Sequence, residues 1–213
     1  MMTDPDDNPI FEPRAVRRAV AIAAGLNFGY FWVQVVVALA IGSVALFADS
    51  VDFLEDTAVN LLIFVALGWP LARRALAGRV MAAIILVPSV AAAWMAFVRA
   101  QNPEPPDVLS LVVTAGGAML VNAICALVLS RIRAHGGSLT AAAFLSARND
   151  VLVNLTIIAM AFVTAWTASG WPDIVLGIVI LVLNATAAKE VWEVATEERL
   201  AAKALADEEI DDD

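Results

Sequence analysis

Ala48-Asp49-Ser50-Val51-Asp52-Phe53-Leu54-Glu55-Asp56-Thr57-Ala58-Val59-Asn60 is the stretch that decides the fold. It carries four carboxylates within eight residues, between apolar flanks at residues 41–47 and 61–67. That is the pattern of a membrane helix with acid at its middle. An Asp at the centre of such a helix costs about 2.5–3.5 kcal/mol on insertion scales, so the segment must face protein, water or a cation. At 3.6 residues per turn, Asp49, Asp52, Asp56 and Asn60 fall within a stripe of about 80°, and Glu55 lies about 60° outside it. Carboxylates and an amide oxygen on one face suit a hard or borderline divalent cation.

The rest of the chain agrees with a membrane setting. Of its 213 residues, 61% are hydrophobic, against about 45–50% in ordinary globular domains, and the length suits one domain. The formal net charge is −9, with much of the acid in residues 4–12 and 207–213. A basic patch is absent, so no nucleic-acid partner is expected. Cys125 is alone in an apolar run; it cannot form an internal disulfide and reads as a core residue. Residues 1–13 are polar and acidic, unlike a cleaved signal peptide, so the first apolar segment reads as retained. The acidic C-terminal run reads as disordered.

A span takes about 20 apolar residues. Six segments qualify or nearly do: 19–40 with Asn27 and Gln34, 44–67 with the acidic stretch, 80–98 with Pro88, 108–129 with Asn122, 141–167, and 174–188 with Asn184. Pro88 removes a backbone hydrogen bond and predicts a kink. The sixth segment continues as a charged, helix-prone tail to about residue 206. In a six-span layout Arg14, Arg17, Arg18, Arg73, Arg74, Arg79, Arg131, Arg133, Lys189, Arg199 and Lys203 share one side, and the other holds Arg99 beside Glu104 and Asp107. The positive-inside rule then places both termini in the cytoplasm. The expected fold is an all-α integral membrane protein of six transmembrane helices. Its domains are a cytoplasmic tail (1–16), a six-helix transmembrane domain (17–192) and an acidic cytoplasmic tail (193–213). Trp69 and Trp171 read as interfacial aromatics, and Trp32 and Trp94 as packing residues. Gly116-Gly117 reads as close helix packing, and His135 as a solvated loop residue.

A cation site from one helix is incomplete, and the fifth segment supplies the remaining intramembrane ionisable groups, Arg148 and Asp150. There Ser146, Asn149 and Asp150 share a face about 100° wide, Asn154 borders it, and Arg148 points roughly the other way. The second and fifth segments run in opposite senses. Asp52 lies about 12 Å from the outer end of its helix and Asp150 about 14 Å from the inner end of its own, so both fall near the midplane. Asp52, Asp56, Ser146 and Asp150 are the candidate metal ligands. Asp49, Asn149, Glu55 and Asn154 are candidate accessory groups. Asp49 reads equally as a helix-start residue near the outer surface, a ligand, or a group on the proton or access path. Glu55 reads as a partner of Arg148 or as a transport residue. Ser146 reads as a ligand or as bonded back to its own helix. Asn27, Asn122 and Asn184 read as interhelical glue.

These residues resemble a known family. Gly42-Ser43-Val44-Ala45-Leu46-Phe47-Ala48-Asp49-Ser50, followed by Asp52-x-x-x-Asp56, resembles the second-helix signature of the cation diffusion facilitators. Asp150 ahead of Val151-Leu152-Val153-Asn154 is similar to the family's fifth helix, Trp171-Pro172-Asp173-Ile174 to the start of its sixth, and Asn27 fits its first. The resemblance covers roughly residues 19–191. It implies a six-helix exporter of divalent cations that exchanges metal for protons, often as a homodimer, here in a bacterial inner membrane. It also implies a metal site of paired residues four apart, carried onto Asp52, Asp56, Ser146 and Asp150. Three departures stand out. Ser146 replaces the usual His or Asp, which weighs against zinc because zinc favours nitrogen and sulfur; a water or Asn149 would complete the shell. A variant lacking the usual cytoplasmic C-terminal domain is expected, which bears on metal sensing and dimer contact. The His-rich inner loop of many relatives is missing.

Clustered carboxylates in a low dielectric cannot all stay ionised when empty. They would hold protons and release them when metal binds, the physical basis of metal–proton exchange. Oxygen ligands lean toward manganese, iron or magnesium, with cobalt and zinc open. No cofactor beyond the transported ion is expected. A rival reading is a transport-inactive subunit or scaffold partnering a complete cation diffusion facilitator. A third, an intramembrane aspartyl protease or lipid head-group transferase, lacks its flanking motifs, and no enzyme is expected.

Overall fold

The computed structural model describes residues 13–66, 71–132 and 137–211. It consists of α1 (Pro13–Ile41), α2 (Val44–Ala66), α3 (Leu71–Gln101), α4 (Val108–Ser130), α5 (Gly137–Thr167) and α6 (Trp171–Asp211). No strand occurs among the described residues. Stretches long and apolar enough to cross a membrane lie in α1, α3, α4 and α5, and α6 adds the shorter apolar stretch Trp171–Ala185. With its 23 residues, α2 is about 34 Å long and also reaches across a hydrocarbon core; its carboxylates set it apart. Leu86, Val87, Leu109, Leu127 and Phe162 stand exposed on the outer faces. A surface of this kind needs lipid as its solvent, and the chain is an integral, multi-pass membrane protein.

The helices associate as α1 with α2, α4 with α5, and α3 with α6. The acidic helix α2 holds these pairs together, packing against α1, α3, α5 and α6. Its entry is set by Gly42, whose φ of +70° gives the left-handed turn that ends α1. The first amides of α2 would otherwise lack partners. Asp173 of α6 and Ser43 supply them: the Asp173 carboxylate accepts from Val44 N at 2.6 Å and from Ser43 Oγ at 2.6 Å, and Ser43 Oγ accepts from Leu46 N at 3.1 Å. An acid at the positive end of a helix is favourable, and here it comes from a different helix. The loop after α3 and the loop before α6 are joined by Gly170 N donating to Pro103 O at 2.8 Å. Asp107 caps α4 by accepting from Ser110 N at 2.9 Å, and the Ser110 side chain together with this backbone bond holds its carboxyl below the usual range. At the other end Arg79 of α3 lies over the Trp192 ring of α6, 5.0 Å from its centroid.

Two apolar clusters divide the bundle along its length. One contains Ala38, Leu46, Phe47, Leu111, Ile157 and Ala161. The other contains Val16, Val20, Ile63, Leu129, Ile132 and Ala143. The buried Asn, Gln, Asp and Glu residues of α1, α2, α4 and α5 lie between them in sequence, whereas buried Thr114, Thr140 and Thr164 lie within or beyond the clusters. A polar layer is therefore closed at both ends by apolar packing.

Several expectations change. Trp32 and Trp94 are not interior packing residues; they are 53% and 66% exposed, Trp32 meeting exposed Phe28 and buried Phe31 edge-on and Trp94 lying against exposed Phe97. In a bilayer an apolar ring is equally stable facing lipid, so depth in a segment does not place it inside. The helix α3 remains one element across Pro88, which the expected kink also allows, and Ser89 Oγ donates to Ile85 O at 2.8 Å beside it. The acidic C-terminal run, expected to be disordered, continues α6 as far as Asp211. The helix α1 begins at Pro13 and α6 continues past residue 193. Trp171 is exposed at the start of α6, as an interfacial ring should be. Trp69 and His135 lie outside the described residues.

Gly117 yields a prediction. Tyr30 of α1 donates its hydroxyl to Thr114 O of α4 at 2.7 Å. A Cβ on Gly117 would stand 2.2 Å from that hydroxyl oxygen. Gly117→Ala is expected to part α1 from α4 and cost about 1–3 kcal/mol, read as a lower unfolding midpoint in detergent. Adding Tyr30→Phe removes the clashing atom and should restore most of the loss.

Candidate metal centre

The polar layer is built from the α2 stripe outward. Asp56 is its best-connected carboxylate and is 6% exposed. Asn27 Nδ2 of α1 donates to its Oδ2 at 3.3 Å, and Ser146 Oγ of α5 donates to its Oδ1 at 3.0 Å. Asp150, one turn on from Ser146, is 9% exposed and lies within hydrogen-bonding reach of Asp56. Two carboxyl groups side by side in a low dielectric repel each other when both are ionised. Asp52 is half-buried, and its strongest charge interaction is with Asp150. The antiparallel course of α2 and α5 brings these four side chains to one level.

Asp49 occupies the Ser43 end of the layer. It is completely buried and accepts from Gln34 Nε2 of α1 and, at 3.4 Å, from Asn154 Nδ2 of α5. Asn154 Nδ2 also donates to Asp150 O at 2.9 Å. Asn184 Nδ2 of α6 donates to Ala48 O at 3.1 Å, beside Asp49. At the other end Asn60 Nδ2 donates to Asp56 O at 2.8 Å. Behind Asn27, the Cys125 thiol donates to Asn27 Oδ1 at 3.4 Å. Among the described residues, buried Gln34 Oε1, Asn60 Oδ1, Asn122 Oδ1 and Asn154 Oδ1 have no hydrogen-bond partner. A buried acceptor without a donor costs about 1–3 kcal/mol. Carboxylates surrounded by spare acceptors are the surroundings a cation stabilises. Among the described residues no group of three or more His, Cys, Asp or Glu side chains stands close enough together to hold a metal ion as the helices are placed. The donors are arranged as a ladder along α2 facing α5, which suits an ion in passage more than one held permanently.

The pattern of the cation efflux transmembrane domain matches residues 20–197. The chain belongs to the cation diffusion facilitator family. It is 30% identical over 189 residues to the zinc transporter ZitB of Escherichia coli (strain K12), and equally to ZitB of Shigella flexneri. Each alignment covers 78% of this chain and 57% of the relative, so the chain spans little more than half the length of those proteins.

For this member of the cation diffusion facilitators, the structure places the expected residues as follows. Asp52, Asp56, Ser146 and Asp150 come together between α2 and α5. The Ser146 hydroxyl points to Asp56 rather than back along its own helix. Asp49 is not a surface helix-start residue; six residues into the chain from Val44, it is wholly enclosed by α1 and α5 partners. Asn154 joins the layer. Asn149 does not: it is exposed on α5, as is Arg148. On a 100°-wide face the edge residue turns out of the contact, and Asn149 is that edge. Glu55 is buried. Asn27 and Asn184 bridge helices, as expected, but Asn27 also carries a direct bond to the candidate ligand Asp56. Sequence reasoning missed Gln34 as the partner of Asp49. The signal was present, because Asn27 and Gln34 are seven residues apart and share one face of α1.

Proposed function

We propose that the protein exports a divalent metal cation from the cytoplasm in exchange for protons, through the intramembrane site between α2 and α5. The observation that carries this is the meeting of Asp56 with Ser146 and Asp150 inside a buried polar layer. In the empty site the adjoining carboxyls retain protons. A divalent cation entering from the cytoplasm binds Asp52, Asp56 and Asp150 in their ionised form, with Ser146 Oγ as a fourth oxygen, and displaces those protons. The two apolar clusters that close the layer part in turn, one toward each side of the membrane. Both termini lie in the cytoplasm of a bacterial inner membrane, residues 17–192 form the transport domain, and the homodimer implied by the family is its working form. The relatives are zinc transporters by name. An all-oxygen donor set shifts preference toward manganese, iron, magnesium or cobalt over zinc.

Calorimetry on the purified protein across manganese, zinc, iron, cobalt and magnesium at two pH values tests this. The expected result is one high-affinity event that releases protons and weakens by about 100-fold or more in Asp150→Ala, the effect of removing one charged partner from a buried set. No binding of any of these ions would instead support a subunit that partners a complete transporter.

A further inference from the structure

We infer that the protein carries a second cation subsite, formed by Asp49, Gln34 and Asn154, through which the transported ion passes after leaving the Asp52–Asp56–Asp150 set. It rests on the transport reading above and adds a residue, Gln34, that the ligand set does not include.

Three side chains from three helices meet here, and all are 0% exposed. Gln34 Nε2 and Asn154 Nδ2 both donate to the Asp49 carboxylate. Each amide is thereby pinned by its nitrogen end. Their oxygens, Gln34 Oε1 and Asn154 Oδ1, are left without hydrogen-bond partners. A neutral donor would satisfy one of them. A cation engages both, together with the carboxylate, and so removes two desolvation costs at once. The donor set is oxygen only, with one full negative charge, which selects a hard or borderline divalent cation of the manganese or magnesium type. With a single carboxylate it binds more weakly than the first set, as a relay must for the ion to leave.

The position fits a relay. Asp49 is one turn from Asp52 on the same stripe, about 4.5 Å along the axis. Asn154 sits one turn beyond Asp150 on α5, its amide nitrogen bonded to Asp49 and to the backbone carbonyl of Asp150. The apolar cluster of Leu46, Phe47, Ile157 and Ala161 closes the bundle beyond Asp49. An ion moving toward the Ser43 end meets Asp49 before that barrier. Two divalent ions this close repel strongly, so the subsites fill in turn.

The test therefore vacates the first site. Manganese(II) titrations of the purified full chain, followed by the electron paramagnetic resonance signal of the free ion, should give one tight ion per chain in the wild type. Asp150→Ala should retain one ion at least tenfold weaker. Adding Gln34→Leu or Asp49→Asn to Asp150→Ala should abolish that remaining event, with a folded state shown by an unchanged gel-filtration profile. Gln34→Glu in the Asp150→Ala background keeps the oxygen and adds charge; it should tighten the weak event several-fold, which a merely structural glutamine would not do. The inference is overturned if Asp150→Ala binds no manganese, or if its residual binding ignores all three changes at Gln34 and Asp49. In both cases the first site stands. Absence of tight binding in the wild type overturns the transport reading and the subsite together.

Discussion

Asp56→Ala is expected to lower metal transport by on the order of 100-fold or more. Asp56 is the carboxylate on which three helices converge: it accepts from Asn27 of α1 and Ser146 of α5, and it adjoins Asp150. Removing it deletes a proposed charged ligand and leaves the Ser146 hydroxyl and the Asn27 amide without their acceptor. Asp56→Asn keeps the shape and the hydrogen bonds to a first approximation but removes the charge, so it separates ligation from packing. Both variants should lose transport, while Asp56→Asn keeps the wild-type unfolding midpoint. The measurement is metal accumulation in proteoliposomes loaded with a metal-sensitive dye, with an imposed pH gradient as the driving force. Wild-type rates in Asp56→Asn would remove Asp56 from the ligand set.

The second large effect concerns folding. Asp173→Ala is expected to destabilise the protein by about 3 kcal/mol, from the loss of two hydrogen bonds to a buried carboxylate and the exposure of unpartnered donors. Asp173 is 3% exposed, and its two oxygens separately hold Ser43 Oγ and Val44 N at the start of α2. It is the tie between α6 and the helix that carries the acid stripe. Asp173→Asn retains one acceptor oxygen and should cost less. Ser43→Ala, which removes the Ser43 Oγ bond to Asp173 and the Leu46 N bond to Ser43 Oγ but leaves the Val44 amide contact, should cost about 1–2 kcal/mol. Denaturant midpoints in detergent micelles report all three, and an unchanged midpoint in Asp173→Ala would show that the cap contributes nothing to stability.

Much of the site was legible before any fold was known because helical periodicity is a local property. The 80° stripe of Asp49, Asp52, Asp56 and Asn60 follows from spacing alone, and so does the face shared by Ser146 and Asp150. Chain direction and span length then place Asp52 and Asp150 at one depth. Which neighbour each residue meets is different, because it depends on how six helices pack. Asn149 lies on the same predicted face as Asp150 but is exposed, since the contact between α5 and α2 is narrower than the polar face. Trp32 and Trp94 look like core residues by hydropathy yet face outward, because lipid and protein interior are equally apolar and hydropathy does not tell them apart.

The sequence by itself determined a membrane-embedded helical protein with a line of carboxylates on its second span and an acid and a hydroxyl on its fifth. It did so because insertion energetics and helical period act within a segment. Only the tertiary structure decided that Ser146 donates to Asp56, that Gln34 and Asn154 converge on Asp49, and that Asp173 caps a helix 129 residues away. Those contacts join different helices, and their partners are selected by the packing of the whole bundle around α2, which no single segment encodes.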